Sequence, residues 1–176
     1  PRLARVQETL NRLGLHASLV ADDVRQTARW WDGRPFDAIL LDAPCSGTGI
    51  FARHPDVLHR VRPRDIAECA ATQAKLLARA SGWLAEGGRL VYATCSLEPE
   101  EGEGIASGAE AAGLTSLPVS ADGLPAGMGV LGNGLDTHRD CLFRSESGCS
   151  AACGTTSAST IAQPSAWTIT GFRSIS

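Results

Sequence analysis

Two apolar runs that each lead to a cysteine constrain the fold of this chain more than any other feature. The first run covers residues 36–41 and continues as Asp42-Ala-Pro-Cys45, and the second covers residues 89–94 and continues directly into Cys95. Most positions in both runs are apolar, without strict alternation, which indicates strands buried on both faces of a sheet. Such strands are typical of parallel sheets covered by helices, so the runs predict an α/β fold.

Segments of helical periodicity alternate with these strands. A further short strand is predicted over residues 17–21, and helices are predicted over residues 2–13, about 24–31, 65–85 and about 99–112, with an irregular segment at 53–64. Glu100 and Glu101 fall in the first turn of the last helix, where carboxylates suit the helix dipole. The alternation favours a mostly parallel sheet.

The composition fits one soluble globular domain. The chain has 176 residues, 43% hydrophobic and 20% charged. No apolar run approaches the roughly 20 residues that a membrane-spanning helix needs. Since no charged-then-apolar leader is present, we expect a cytoplasmic location. The net charge of -3 does not suggest a strong nucleic-acid binder, so an RNA substrate would require a local basic patch or a further domain.

The last third of the chain lacks the periodicity of the first two thirds. From residue 145 to 176 it is rich in Ser and Thr, contains no Lys and has Arg173 as its last basic residue. We therefore expect a catalytic region over residues 1–126 and an atypical, disordered tail over residues 127–176.

The six cysteines do not predict a disulfide framework or a metal site. They occur singly, and no Cys-x-x-Cys pair is present. Cys149 and Cys153 are separated by three residues, with no matching His or Cys pair. We therefore expect no zinc or other metal.

The two cysteines at the strand ends are the candidates for chemistry. Ligands of open α/β sheets bind at the carboxyl ends of the strands. If the two strands are neighbours, Cys45 and Cys95 face one crevice with Asp42 at its floor. A lone cysteine is most often a small buried hydrophobe. Two of them, in the turn-forming contexts Pro-Cys-Ser and Thr-Cys-Ser, favour a chemical role.

Cytosine C5 methylation fits two thiols and a carboxylate better than other thiol chemistry does. A thiol protease needs a histidine base, which neither motif contains, and a tyrosine-phosphatase loop needs Arg at the position of Phe51. In C5 methylation a thiolate adds to C6 of an unstacked cytosine and an acid near N3 stabilises the developing charge. A base then removes the C5 proton, which allows the thiol to leave.

Three motifs of this chain resemble the Sun family of bacterial small-subunit ribosomal RNA cytosine-C5 methyltransferases. They are Asp42-Ala-Pro-Cys-Ser-Gly-Thr-Gly49, Arg53-His-Pro-Asp56 and Tyr92-Ala-Thr-Cys-Ser-Leu-Glu-Pro-Glu-Glu101. The resemblance runs from about residue 1 to 105. It implies a Rossmann-like methyltransferase sheet, S-adenosylmethionine as cofactor and ribosomal RNA as partner.

The resemblance also implies a role for each site residue. The family's Thr-Cys-Ser cysteine attacks C6, which corresponds to Cys95, and its Pro-Cys-Ser cysteine assists product release, which corresponds to Cys45. Asp42 corresponds to the aspartate that contacts the cytosine ring. DNA cytosine methyltransferases instead attack from a Pro-Cys motif, so an exchange of roles between the thiols stays open.

Asp22 and Asp42 are the predicted cofactor contacts. The resemblance places Asp22 at the adenine of S-adenosylmethionine, and a carboxylate at a strand end can accept from an exocyclic amine. Residue type alone equally favours a helix N-cap before Val24.

A local basic patch is predicted beside the site. Its members with an expected RNA contact are Arg53, His54, Arg60 and Arg62. These residues would contact RNA phosphates, although a solvated loop with ordinary surface charge is an equal alternative.

The resemblance is incomplete at both ends. The family's first strands, with the Gly-rich cofactor loop, have no counterpart, so the sheet is expected to be incomplete and the strand at 17–21 to lack its neighbours. Gly102 stands where the family has Asn, and the family's closing strand is not found. The alternatives are therefore an inactive fragment that keeps only RNA or protein contacts, or a DNA cytosine-C5 methyltransferase.

Overall fold

The structure, a computed structural model, describes residues 2–111, 113–117, 139–145, 156–162 and 168–174. Its helices are α1 (Arg2–Leu13), α2 (Val57–Arg60), α3 (Pro63–Ser81) and α4 (Glu103–Ala111), with short 3-10 turns at Thr27–Arg29, Thr48–Ile50 and Pro99–Glu101. Its strands are β1 (Ala17–Val20), β2 (Phe36–Asp42), β3 (Leu84–Thr94), β4 (Leu114–Leu117), β5 (Arg139–Ser145), β6 (Thr156–Ala162) and β7 (Thr168–Ser174). None of the helices within these ranges is long and apolar enough to cross a membrane.

The described strands form one sheet in the order β1-β6-β7-β2-β3-β5-β4. β2 pairs in parallel with β3, and β1 pairs in parallel with β6. β5 and β7 run antiparallel to the strands beside them. The other strands of the described part all point the same way. The predicted Rossmann-like α/β fold is confirmed, but the sheet is mixed and not mostly parallel, because four of the six pairings between described strands are antiparallel.

The two apolar runs form the centre of the core, as their sequence predicts. Leu41 of β2 and Leu90 and Tyr92 of β3 have no exposed surface. Helix α3 packs on this core through residues that share one helical face, among them Leu76 and Ala80. The strands that carry the cysteines are therefore anchored in the best-packed part of the protein.

Helix α3 is shorter than its periodicity predicts. It was expected to reach residue 85, but it ends at Ser81, and Leu84 already belongs to β3, opposite Phe36. The Phe36 N–H donates to the Trp83 carbonyl at 2.8 Å, so backbone pairing with β2 begins where the helix was expected to continue.

The predicted helix at 24–31 is wrong. Only the single turn Thr27–Arg29 forms there. The Trp30 ring packs edge-on against Trp83, with ring centroids 4.8 Å apart. The Trp30 side chain thus packs against the core in a segment that forms only one short turn. This contact depends on a residue distant in sequence, so helical spacing alone could not predict it.

Two further boundaries differ from expectation. The helix predicted over 99–112 is divided at Gly102 into the turn Pro99–Glu101 and α4. The segment predicted to be irregular, 53–64, contains α2 and the first residues of α3.

The segment 127–176 contributes three strands to the sheet. β5 lies beside β3, and the β6–β7 pair lies between β1 and β2. The expectation of disorder is wrong for these stretches, because a strand needs only backbone partners along a free sheet edge and not a periodic apolar face. The expectation that the strand at 17–21 lacks neighbours is wrong as well, since β1 pairs with β6 from Ala17↔Ala158 onwards. The remaining residues of the predicted tail lie outside the described ranges, and a domain boundary near residue 126 stays a prediction.

Close packing against β2 fixes the position of β7. A Cβ at Gly171 would lie 2.5 Å from the Phe36 ring, so only glycine fits there. Two residues later, Arg173 stacks on the same ring at 4.0 Å from its centroid. Its guanidinium also donates to Asp32 at 2.9 and 3.0 Å.

Candidate active site

The two cysteines leave neighbouring strands at the same edge of the sheet. β2 and β3 are parallel and stay in register as far as Asp42↔Ala93. Three residues after β2 stands Cys45, and one residue after β3 stands Cys95, with their Sγ atoms 3.2 Å apart. The expectation that the two thiols meet at this edge is therefore confirmed, whereas their chemical roles stay predictions.

Gly47 directs the chain back toward β3 directly after Cys45. Its φ of 72° lies in the left-handed region, which residues with a Cβ rarely adopt. The turn Thr48–Ile50 follows, and the Gly49 N–H donates to the Cys95 carbonyl at 2.9 Å. Backbone contact thus ties the two cysteine-bearing loops together.

Small hydroxyl side chains reinforce this connection. The Ser96 Oγ lies 3.1 Å from the Ser46 Oγ and 3.2 Å from the Thr48 Oγ1. The Leu97 N–H donates to the Thr48 Oγ1 at 3.0 Å. Ser96 and Thr48 are buried, so these hydrogen bonds are shielded from water and hold both loops in one geometry.

Glu101 is a site residue that sequence reasoning missed. The sequence predicted only that it lies in the first turn of a helix, where carboxylates suit the dipole, but its exposed fraction is 0%. Its carboxylate accepts from the Ser46 N–H at 3.0 Å and from the Gln73 amide at 2.8 Å. The sequence contained no direct signal, because Pro99 marks a turn without showing which way the next side chains point.

The two thiols titrate as a coupled pair. A hydrogen bond from Cys95 lowers the pKa of Cys45 to about 7, against the opposing effect of burial. The pKa of Cys95 is raised, first by its hydrogen bond to Cys45, then by burial and by the negative charges of Cys45 and Asp42. The pair therefore loses its first proton near neutral pH and retains the second, which is the behaviour of two acids that share one proton.

Cys69, on α3, provides a contrast. Burial, then the charge of Glu101, raises the pKa of Cys69 on α3 to about 11. A half-buried thiol of this chain without a thiol partner is therefore protonated at neutral pH, so the low pKa of Cys45 comes from its pairing with Cys95.

Asp42 is the last residue of β2 and lies at the same edge as the thiols. It is exposed, it pairs with Ala93 two residues before Cys95, and its negative charge contributes to the raised pKa of Cys95. The three predicted catalytic residues therefore lie at the carboxyl ends of two neighbouring strands, and their roles stay predictions.

Asp22 lies apart from this group. Two strands, β6 and β7, separate β1 from β2, which corresponds to about 14 Å at the usual strand spacing. The Asp22 carboxylate accepts from the Asp23 N–H at 2.7 Å and pairs with Arg29 at 3.3 Å. No helix begins at Val24, so the N-cap alternative is wrong, and the cofactor contact stays a prediction.

The predicted RNA contacts follow the Cys45 loop in sequence and are exposed. Arg53 and His54 come three and four residues after the turn Thr48–Ile50, and the backbone N–H of His54 donates to the Ile50 carbonyl. Arg60 on α2 forms an exposed ion pair with Asp56 at 3.1 Å, and Arg62 precedes α3. Their surface position suits an RNA contact and equally a solvated loop.

A model of the family described as 16S rRNA methyltransferase RsmB/F matches residues 1–110. The chain belongs to this family. The ribosomal RNA small subunit methyltransferase B of Pseudomonas syringae is 56% identical over 100 residues, which are 57% of this chain and 22% of that protein. The chain thus spans about a fifth of the length of this relative.

Solved structures agree with this assignment. NSun6 from Pyrococcus horikoshii, solved with SFG, an analogue of S-adenosylmethionine, matches with a TM-score of 0.66 and 27% identity, over 84% of this chain and 39% of that one. A methyltransferase homologue from the same organism matches with a TM-score of 0.62 and 30% identity, over 82% and 50%. Membership of the RsmB/F family confirms the resemblance inferred from the cysteine motifs.

Proposed function

We propose that the thiol pair performs RNA cytosine-C5 methylation, with S-adenosylmethionine as methyl donor and ribosomal RNA as substrate. The observation that carries this proposal is the 3.2 Å contact between the Cys45 and Cys95 sulfurs at the ends of adjacent strands. Membership of the RsmB/F family and the names of the relatives support it. Such a reaction on ribosomal RNA would take place in the cytoplasm.

The first step is addition of Cys95 to the base. The Cys95 sulfur forms a bond to C6 of an unstacked cytosine, and the electrons of the C5=C6 bond move into the ring toward N3. Asp42, the exposed last residue of β2, is the group that would stabilise this charge. Addition turns C5, a weak nucleophile in cytosine, into an enamine-like carbon.

The second step is methylation of C5 and release. S-adenosylmethionine would supply an electrophilic methyl group when bound, and C5 would form a bond to it as the methyl–sulfur bond of the donor breaks. The C5 proton then leaves to a base, the C5=C6 bond re-forms and the bond between the Cys95 sulfur and C6 breaks. Cys45, whose sulfur contacts that of Cys95, holds the proton of the pair while Cys95 attacks; once it has released that proton to solvent, it can assist the release as a thiolate that accepts a proton.

The ionisation of the free pair does not decide which sulfur attacks. Cys45 is the more acidic member, but a proton shared across a 3.2 Å contact can reside on either sulfur when the substrate arrives. The assignment of attack to Cys95 rests on the family motif, and the reversed order is the competing outcome.

The described residues fit one end of the proposed cofactor. The Asp22 side chain is 24% exposed, so its carboxylate has access to an exocyclic amine beside its contact with Arg29. Asp22 and Asp42 both follow strands that point to the same sheet edge, so an elongated ligand along that edge would contact both. In this arrangement Asp22 would hold the adenine and Asp42 would lie near the reacting end.

Methyl transfer itself tests the proposal. The protein is incubated with small-subunit ribosomal RNA and S-adenosylmethionine labelled in the methyl group, and the RNA is digested to nucleosides. We expect label in 5-methylcytosine, lost in Cys95→Ala and retained in the control Cys69→Ala. Label in DNA and not in RNA would favour the DNA-type alternative. RNA binding without any methyl transfer would favour a fragment that keeps only contacts.

A further inference from the structure

Glu101 connects the two cysteine-bearing loops through a buried carboxylate. It follows the Cys95 loop at the end of the turn Pro99–Glu101 and has no exposed surface. Both of its carboxylate oxygens lie within hydrogen-bond distance of the Ser46 N–H, at 3.0 and 3.3 Å. Because Ser46 is the chain neighbour of Cys45, this contact acts on the backbone that carries the Cys45 thiol.

Gln73 of α3 braces the same contact from the helix side. Its Nε2 donates to the Glu101 carboxylate at 2.8 Å and to the Pro44 carbonyl at 2.7 Å. The Gln73 Oε1 has no hydrogen-bond partner although it is buried. A buried polar atom without a partner costs free energy, so the amide is oriented by its two donations and not by its own acceptor.

The backbone of Glu101 is fixed from the strand that leads to Cys95. The Tyr92 hydroxyl donates to the Glu101 carbonyl at 2.8 Å, and Tyr92 is fully buried in β3. A continuous chain of buried contacts therefore runs from β3 through Glu101 to Ser46. These contacts fix the Cys45 loop relative to the strand that leads to Cys95.

We propose that Glu101 is a positioning residue, which holds the Ser46 backbone so that the Cys45 sulfur stays in contact with the Cys95 sulfur. The importance of Glu101 for catalysis rests on the proposed function, whereas its effect on the contact between the two thiols is independent of that function. Glu101 touches neither sulfur in this arrangement and acts through the loop that carries Cys45.

A purely electrostatic role for Glu101 predicts the opposite effect on Cys45. The negative charge of Glu101 contributes to the raised pKa of Cys69, and removal of that charge lowers the pKa of any thiol that it affects. Positioning predicts that the pKa of Cys45 rises instead, because its low value depends on the hydrogen bond from Cys95. The sign of the change at Cys45 therefore separates the two roles.

The test is the pH profile of alkylation in the Glu101→Gln variant of the full chain. One Glu101 oxygen accepts from both Ser46 and Gln73, and the other lies 3.3 Å from the Ser46 N–H. In Glu101→Gln the negative charge is lost and an NH2 donor replaces that second oxygen, so it opposes the Ser46 N–H and weakens the hold on this loop. Each cysteine is alkylated with iodoacetamide between pH 6 and 10 and quantified by peptide mass spectrometry. We expect the Cys45 rate at pH 7 to fall by about fivefold if its pKa rises by one unit, while the Cys69 rate rises.

The exposed neighbour provides a matched control. Glu100→Gln removes one charge from the same turn but should leave the Cys45 profile unchanged. Glu101→Asp keeps the charge but is one methylene shorter, so its Cys45 rate should lie between wild type and Glu101→Gln. A Cys45 rate that is unchanged or raised in a folded Glu101→Gln variant would overturn the proposal.

A measurement on the unaltered protein covers the case in which the variants do not fold. Hydrogen exchange of the Ser46 amide should be slow, because this N–H donates to a buried carboxylate. Exchange at the rate of a free loop amide would overturn the proposal without any variant. Neither experiment uses RNA or S-adenosylmethionine, so absence of methyl transfer would count against the proposed function and not against the positioning role.

Discussion

Two parts of the same carboxyl-end edge of the sheet differ in how their polar groups are held: the part at Cys45 and Cys95, here called the thiol edge, and the part at the end of β1, called the Asp22 edge. At the thiol edge, Ser96, Glu101 and Gln73 are fully buried and bonded to one another or to loop backbone. At the Asp22 edge, the carboxylate pairs with Arg29, whose side chain is 61% exposed. One edge is fixed by contacts shielded from water, and the other by contacts that compete with water.

This difference indicates that the thiol part of the site is preorganised. A thiol that must attack one atom of a base needs a fixed position, since reacting groups have to approach to near contact. A carboxylate that accepts a hydrogen bond from the adenine of a cofactor can remain exposed to solvent until the ligand binds. We therefore expect changes at the thiol edge to have large effects and changes at the Asp22 edge to have small ones.

The largest expected effect concerns the acidity of Cys45. Because the Cys95 hydrogen bond holds the pKa of Cys45 at about 7, its thiolate is present above that pH. In Cys95→Ala the pKa of Cys45 rises, so the thiolate appears only at higher pH, and the alkylation rate at pH 7 falls by about 50-fold if the pKa reaches about 9. An unchanged pH profile would show that the thiols are not coupled.

The next effect concerns stability at the thiol edge. Thr48→Val keeps the shape of the buried side chain but leaves the partly buried Leu97 N–H without its acceptor. We expect the free energy of unfolding to fall by about 1–3 kcal/mol, the usual cost of an unsatisfied buried donor. Urea denaturation measures it, with Thr72→Val on the exposed side of α3 as control. If Thr48→Val lowers the free energy of unfolding no more than Thr72→Val does, the hydroxyl network contributes no more to stability than an exposed contact.

A smaller effect is expected in the basic patch. Arg53→Ala and Arg62→Ala should each weaken RNA binding by roughly two- to fivefold and lower its salt dependence by about 0.7 in the log–log slope per lost phosphate contact. Filter binding over a salt series gives both numbers. Arg5→Ala on α1 is the charge-matched control. Equal losses in all three variants would indicate general charge attraction and not a contact beside the site.

The smallest effect is expected at the Asp22 edge. Arg29→Ala removes the exposed ion pair with Asp22, and such pairs contribute about 0–1 kcal/mol. The free energy of unfolding should therefore fall far less than in Thr48→Val, and the difference should shrink further at high salt. A loss as large as that of Thr48→Val would remove the contrast between the two edges.

The sequence predicted the parts of the protein in which local pattern and tertiary packing agree. The apolar runs before Cys45 and Cys95 are strands because their side chains fill the core, and parallel pairing brings their ends together. Helix α3 was predicted by the same logic, except at its end, where pairing of Phe36 with the Trp83 carbonyl begins. Backbone partners distant in sequence are invisible to local periodicity.

The parts that the sequence could not predict depend on such distant partners. Glu101 is buried because the Ser46 N–H and the Gln73 amide meet it, and neither lies near it in sequence. β6 and β7 are strands because they pair between β1 and β2, not because their residues repeat a pattern. Carboxylates and Ser-rich segments are usually exposed, so composition pointed away from both findings.

The central claim, that the two thiols act in sequence on one cytosine, is tested most directly by the fate of the covalent adduct. Cys45→Ala, Cys95→Ala and the control Cys69→Ala are each incubated with cytosine-containing RNA and S-adenosylmethionine, and the products are separated on a denaturing gel. We expect a slowly migrating protein–RNA band in Cys45→Ala, where addition occurs and release is slow, and none in Cys95→Ala. A band in Cys95→Ala that is missing from Cys45→Ala would contradict this order of action and assign the attack to Cys45.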